Sequence, residues 1–309
     1  MISEDETVAA ADAHSAQWLF EDLRDYLWNR DHLRLIASRL GLEEVGSALD
    51  VGCGVGHWTF LLASVLPPDV RFVGVDSEAR WVEEATTRAQ RGGVAGRFDF
   101  HAGDATELDF PDGAFDLVTC QTLLMHMADP RATVAELLRV TKPGGFVMFS
   151  EPNSLSALLV LSSANAGAPI EEFVELVRFG LTCERGKAAL GEGNDSVGNL
   201  LPGYLAELGA THIQTFACDK THGLHPPYAS SEQQALRDYY LEGPDTMLWP
   251  RDKARRFFLA GGGSEDDFEA GWNARLAECA RDAAAIVAGT FHSVGGFALY
   301  LTAARRPAT

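Results

Sequence analysis

The chain has 309 residues, 46% of them hydrophobic and 22% charged, which is enough apolar material for one large domain or for a domain carrying an inserted lid. Its formal charge of -19 argues against a nucleic-acid substrate, because a phosphate-tracking surface needs clustered Lys and Arg, and it disfavours docking on anionic membranes. No apolar run is long enough to span a bilayer, the acidic N-terminus has no signal-peptide pattern, and five scattered cysteines without a C-x-x-C suit a reducing, cytoplasmic setting.

Residues 1–14 are acidic and Ala-rich and read as a frayed end. From Ala16 to Leu40 helical periodicity places Leu19, Leu23 and Leu27 on one face and Leu33, Ile36 and Leu40 on another. Tyr26, Trp28 and Arg30 fall between the two. Residues 46–58, Gly-Ser-Ala-Leu-Asp-Val-Gly-Cys-Gly-Val-Gly-His-Trp, then spell strand, tight loop and helix. Gly52 and Gly54 let a ligand lie against bare main chain, and N–H groups at the start of the following helix are expected to face it. A dinucleotide fingerprint would need a third glycine where His57 stands. Asp50, at the end of the strand, would instead repel a pyrophosphate and attract an ammonium or sulfonium group.

A helix over 57–66 is stopped by Pro67-Pro68. Strand 70–75 ends at Asp76, about 20 residues beyond the loop, where an acid bonds a ribose diol. Helix 78–91 carries Trp81 and ends at Gly92-Gly93. Residues 98–103 lead into Gly103-Asp104-Ala105, a third acid at a strand end. Pro111-Asp112-Gly113 is a turn. Strand 114–120 then delivers Gln121 and His126 near the place where strand order should reverse and ligands bind. Helix 129–141 starts at an Asp129-Pro130 cap, and strand 145–150 ends at Ser150-Glu151-Pro152-Asn153. Glu151 and Asn153 could orient a substrate amine or hydroxyl there, although Asn153-Ser154 reads equally well as the cap of the next helix.

The segments Ala48 to Gly56, Val73-Gly74-Val75-Asp76-Ser77, Gly103-Asp104-Ala105, Phe115-Asp116-Leu117-Val118 and Leu138 to Gly145 together resemble the class I S-adenosylmethionine-dependent methyltransferases. The resemblance is strongest to the small-molecule branch that includes quinone-biosynthesis C-methyltransferases, and it covers roughly half the chain. It implies an α/β fold, a doubly wound, mostly parallel seven-stranded sheet with helices on both faces, and S-adenosyl-L-methionine as cofactor. It also implies methyl transfer to an N, O or C nucleophile of a small molecule. The methionine part would lie on Asp50, Gly52, Cys53 and Gly54, the ribose on Asp76 and Ser77, and the adenine near Trp81, Gly103, Asp104 and Ala105, with Gln121 and His126 completing the pocket. Tyr26 and Arg30 resemble the aromatic and basic residues with which an N-terminal helix closes over the cofactor carboxylate; the plain alternative is a surface helix with one snorkelling Arg. Trp81 is alternatively a core residue. His126 suits a general base at neutral pH, with Glu151 as a second catalytic candidate, though a lone His is often structural. The competing readings are a non-catalytic cofactor sensor or partner subunit and a nicotinamide oxidoreductase.

Beyond Asn153 the pattern departs from a minimal methyltransferase. Helices over 154–164 and 169–182 lead into a Gly-rich loop at 186–199, then helix 200–208 and strand 211–217. Helices follow near 231–242 and 249–260, and a long helix over 265–288 shows Phe268, Trp272, Leu276, Cys279, Ala283 and Val287 on one face. Residues 291–303 read as a closing strand. The expected organisation is therefore 1–45 as N-terminal helices over the cofactor, 46–153 as the binding core, 154–200 and 219–289 as a helical lid, and 201–218 with 290–309 as closing strands. Asn153, Tyr228, Tyr239, Trp249 and His292 are the expected substrate contacts, with the alternative that most of the lid's aromatics form its own core. His222, His225 and His292 suggest a metal less readily than surface histidines in a Pro-rich turn, so no metal is expected. The expected partner is a small-molecule substrate, with no nucleic acid and no membrane; a homo-oligomer is compatible with the sequence.

Overall fold

A computed structural model describes residues 27–243, 249–296 and 298–308. Tyr26, and with it the first half of the expected N-terminal helical region, lies outside the described residues. The described chain divides into two compact units. A sheet unit comprises Leu27–Asn153, Ser196–Asp219 and the residues from Leu299 onward, and a helical unit comprises Ser154–Asp195 and Lys220–Ala298.

In the sheet unit, α1 (Arg30–Leu40) buries Leu33, Ile36 and Leu40 and stops at Gly41, whose φ of 73° closes the helix in the left-handed region. β1 (Ser47–Val51) is central and almost wholly buried. α2 (His57–Ala63), β2 (Arg71–Asp76), α3 (Ala79–Arg91), β3 (Phe98–Ala102), β4 (Phe115–Gln121), α4 (Pro130–Val140) and β5 (Thr141–Asn153) follow in order. Later come α5 (Ile170–Ala189) in the helical unit, α6 (Leu201–Glu207) and β6 (Thr211–Ala217). The last strand of the sheet is β9 (Ala298–Arg305), after the short β7 (Gly223–Leu224) and β8 (Ser293–Val294), which pair with each other.

The seven-stranded sheet runs β3-β2-β1-β4-β5-β9-β6. β1 pairs in parallel with both β2 and β4, β2 with β3 and β4 with β5, while β6 and β9 are antiparallel. Strand order therefore reverses between β1 and β4, which opens a crevice at their carboxyl ends. At the opposite end Asp116 ties the strands together: it accepts from the Gly46 and Ser47 amides at 3.2 and 3.0 Å and from Lys142 Nζ at 2.7 Å. The core beneath the sheet joins Leu49, Val118 and Phe149 to Leu137 of α4 and Leu205 of α6.

In the helical unit, α7 (Ser231–Glu242), α8 (Arg251–Ala260) and α9 (Glu265–Val287) join α5. Ser230 and Ser264 cap α7 and α9 by accepting the amides of Gln233 and Asp267. Phe179, Phe257, Phe258, Phe268 and Trp272 make one buried cluster, and Leu224, Tyr228, Ile286 and Phe291 another.

Several expected elements shift. Residues 154–159 form a six-residue 3-10 turn rather than a helix to 164. α5 runs through Gly186 to Ala189 because that glycine sits at a close helix crossing rather than opening a loop: a Cβ there would lie 1.6 Å from the Phe257 carbonyl oxygen. The buried face of α9 is Phe268, Gly271, Trp272, Cys279, Asp282 and Ile286, while Val287 is 79% exposed and Leu276 37%. The closing strand begins at Ala298, since Gly295 and Gly296 take φ values of 141° and 129° and separate it from β8.

Candidate functional site

The loop after β1 takes its form from three glycines at alternate positions, Gly52, Gly54 and Gly56, with φ of 69°, 51° and 88°. Residues with a Cβ rarely hold such angles. The loop's amides are mostly satisfied internally. Gly52 and Cys53 both donate to the Val75 carbonyl, at 2.7 and 3.0 Å, Gly56 donates to Cys53, and Gly54 donates to Asp76 Oδ2 at 2.8 Å. What these glycines offer a ligand is thus a surface without side chains rather than a set of free donors.

Asp76 ends β2 and also accepts the Glu78 amide through Oδ1 at 3.0 Å. An ionised carboxylate has about four acceptor positions, so two bonds to the backbone leave room for a diol. Asp50, the penultimate residue of β1, is in register with Gly74 on one side and Thr119 on the other. It is fully buried, with Oδ2 accepting from Thr59 Oγ1 and Oδ1 unpartnered among the described residues. Burial, assisted by the nearby Asp76 charge, raises its pKa to about 7. Because Asp50 is not exposed, its influence on a ligand is through space. The expectation of direct contact with the methionine part is corrected accordingly.

Two tryptophans brace the loop from below. Trp58 Nε1 donates to Thr119 Oγ1 at 2.8 Å, that hydroxyl donates to the Met148 carbonyl, and Trp28 lies with its ring centroid 6.0 Å from that of Trp58. Cys53 is buried, and its thiol pKa is pushed up by desolvation. Trp81 is 7% exposed, with the Arg80 guanidinium 4.4 Å from its ring centroid, which agrees best with the core alternative. Ser77 is exposed beside Asp76. Gly103 and Ala105 flank Asp104, whose Oδ1 accepts from the Thr106 amide and hydroxyl at 2.8 and 2.7 Å; these bonds hold its pKa below the usual value. Gln121 is buried at the end of β4, with Nε2 3.4 Å from Ser150 Oγ. His126 is exposed and closes a 3-10 turn, Leu124–His126. Arg30 is exposed at the first position of α1.

The sheet thus brings Asp50, Gly52, Gly54, Asp76, Asp104, Gln121 and His126 to the carboxyl ends of β1 to β4. Glu151 departs from its expected catalytic role. It is fully buried, and its carboxylate accepts the amides of Leu123 and Leu124, both at 2.9 Å, and of Met125 at 3.3 Å. A carboxylate so enclosed does not touch a substrate. Tyr228 is also corrected: it is 7% exposed and its hydroxyl donates to the Phe291 carbonyl at 3.0 Å, so it is part of the helical unit's core. Tyr239 packs edge-on to Tyr240, Trp249 packs edge-on to Phe257, and His292 is exposed. Asn153 is half-buried at the end of β5. Among the described residues no group of three or more His, Cys, Asp or Glu is placed to hold a metal ion, and no helix is long and apolar enough to cross a membrane.

Sequence reasoning missed Thr59 and Leu123. Thr59 stands in the first turn of α2 and bonds the buried Asp50. The side chain of Leu123 fills the space that a Cβ on Gly52 would need, 2.8 Å from its Cδ1.

Residues 42–187 match a family described as a methyltransferase domain. Just under half of the chain is thus similar to methyltransferase domains. It is 34% identical over 114 residues to the sterol 24-C-methyltransferase of Aspergillus fumigatus, covering 37% of this chain and 30% of that protein. It is 32% identical over 128 residues to the demethylmenaquinone methyltransferase of Geobacillus stearothermophilus, covering 41% and 53%. The chain therefore spans about half or less of the length of these curated relatives. Among solved structures, a chain from Bacillus halodurans, provisionally named a methyltransferase, superimposes with a TM-score of 0.51 at 18% identity, covering 90% of this chain and 99% of that one. That likeness extends the shared fold beyond residues 42–187.

Proposed function

We propose that the chain transfers a methyl group from S-adenosylmethionine to an N, O or C nucleophile of a small molecule. The observation that carries this reading is the pairing of a side-chain-free glycine loop with two carboxylates at adjacent strand ends. Asp50 is buried with an oxygen that has no partner among the described residues, and Asp76 keeps acceptor positions beyond its two backbone bonds. A buried carboxyl under a loop of bare backbone, ionised most readily when a cation lies nearby, suits a ligand that carries an ammonium and a sulfonium, and a diol acceptor beside it suits a ribose. It suits a dinucleotide pyrophosphate poorly.

When bound, S-adenosylmethionine supplies the methyl group on a positively charged sulfur, which makes the carbon electrophilic without help from the protein. The chain's own work is placement. Asp76 accepts the ribose hydroxyls, Asp104 and Ala105 border the adenine, and Asp50 favours the cationic end through the field it sets up. His126 takes the proton that an N or O nucleophile loses as its lone pair bonds to carbon. Alignment and water exclusion account for most of the rate in such a displacement. Arg30, Asn153, Tyr239, Trp249 and His292 are retained as proposed cofactor or substrate contacts. The domain division set out from the sequence, with its helical lid, is likewise a proposal, as is a homo-oligomeric state.

A thermal-shift series tests this. S-adenosylmethionine and its demethylated product, S-adenosylhomocysteine, should each raise Tm by several degrees at concentrations about 100-fold above Kd, while NAD leaves it unchanged. A shift with NAD alone would transfer the site to the oxidoreductase class.

A further inference from the structure

The turn between β4 and α4 is held from β5 by unusual means. Thr122 takes a left-handed φ of 52°, which is uncommon for a β-branched residue. Its amide donates to the Ser150 carbonyl at 2.9 Å. The next three amides, Leu123, Leu124 and Met125, open the 3-10 turn, where backbone donors lack intrahelical partners. All three converge on the Glu151 carboxylate. Ser150 and Glu151 therefore pin 122–125 through four consecutive N–H groups. The pinned turn carries the Leu123 side chain, which lies where a Cβ on Gly52 would be, and the exposed His126.

We propose that Glu151 is a positioning residue for the methyltransferase site. It holds the 122–126 turn so that Leu123 is pressed against the glycine loop at Gly52 and His126 stands at its edge. The inference rests on the cofactor-site reading above, because the site it positions is the one built around Gly52. The fully buried carboxylate reaches no substrate itself; it acts through the turn. The Cys120 thiol lies 3.6 Å from Oε1.

Two readouts on purified, ligand-free protein test this. The first is amide hydrogen exchange in wild type and Glu151→Gln, which keeps volume and two acceptor directions but opposes one N–H with an NH2. Exchange at 123–125 should be at least about tenfold faster in the variant, with β4 and β5 amides unchanged. Unchanged exchange at 123–125 would overturn the proposal. The second is the S-adenosylhomocysteine Kd of wild type, Glu151→Gln, Leu123→Ala and the double variant. Each single change should weaken binding at least about fivefold, and the double change should weaken it by less than the product, because both act through one contact. Wild-type affinity in Glu151→Gln, or multiplicative effects in the double variant, would overturn it even if Tm falls, since a residue of purely structural consequence lowers Tm without changing Kd. If Glu151→Gln does not fold, Leu123→Ala decides alone: unchanged Kd refutes the link. A wild type that fails to bind S-adenosylhomocysteine counts against the proposed function, and hydrogen exchange then decides the role of Glu151 by itself.

Discussion

At the scale of single residues, the two carboxylates at the head of the sheet behave differently although both lie at the carboxyl ends of parallel strands. Asp76 is half-exposed and bonded to two amides, whereas Asp50 is sealed from solvent with one oxygen unpartnered among the described residues. A carboxyl whose pKa moves from 3.8 to about 7 on folding binds its proton more tightly in the native state. It therefore contributes stability that is fully present below pH about 4 and is lost as pH rises through 7. The contribution reaches roughly 4 kcal/mol on a shift of this size. Asp50→Asn cannot ionise, so the fall in urea-derived stability between pH 5 and pH 8 should be smaller in the variant than in wild type. An equal fall in both would show that Asp50 keeps an ordinary pKa. The sequence made Asp50, Asp76 and the glycine loop legible because their spacing repeats a backbone requirement. It could not show that Glu151 points inward, since a carboxylate at a strand end reads alike whether it faces a ligand or three amides of a neighbouring turn.

At the scale of elements, the sheet strands and their following helices were readable because each is bounded by a turn or a cap: Pro67-Pro68, Gly92-Gly93, Pro111-Asp112-Gly113 and Asp129-Pro130. The helical unit was harder to read because its glycines serve packing. Gly186 and Gly261 meet where α5 crosses α8, with a Cβ on either falling within 2.0 Å of a carbonyl oxygen of the facing segment. A glycine in that role carries the same letter as one that ends a helix. Gly186→Ala should therefore cost about 3 kcal/mol through overpacking, read as a lower denaturation midpoint. Gly203→Ala, at a helical position with nothing within 4 Å of the new carbon, should be neutral or stabilise by up to about 1 kcal/mol. Equal effects at the two sites would mean that α5 and α8 do not pack backbone to backbone. The face of α9 was misassigned for a related reason: Asp282 is buried where an apolar count expects Ala283 and Val287 to be.

At the scale of the whole molecule, the sheet unit and the helical unit have separate cores, and the family resemblance is densest in the first. The order in which five short segments occur made the doubly wound sheet legible from the sequence. Substrate identity was not legible, because it depends on side chains whose placement no local periodicity encodes. What unifies the molecule functionally is the claim that the carboxyl edge of β1 and β2 binds a sulfonium nucleoside. Titration calorimetry of wild type and Asp76→Ala with S-adenosylhomocysteine tests it most directly. The account predicts saturable one-site binding to wild type and a Kd raised on the order of 100-fold in Asp76→Ala, the loss of one or two charge-assisted hydrogen bonds. No heat with wild type, or equal affinity in the two proteins, would contradict it.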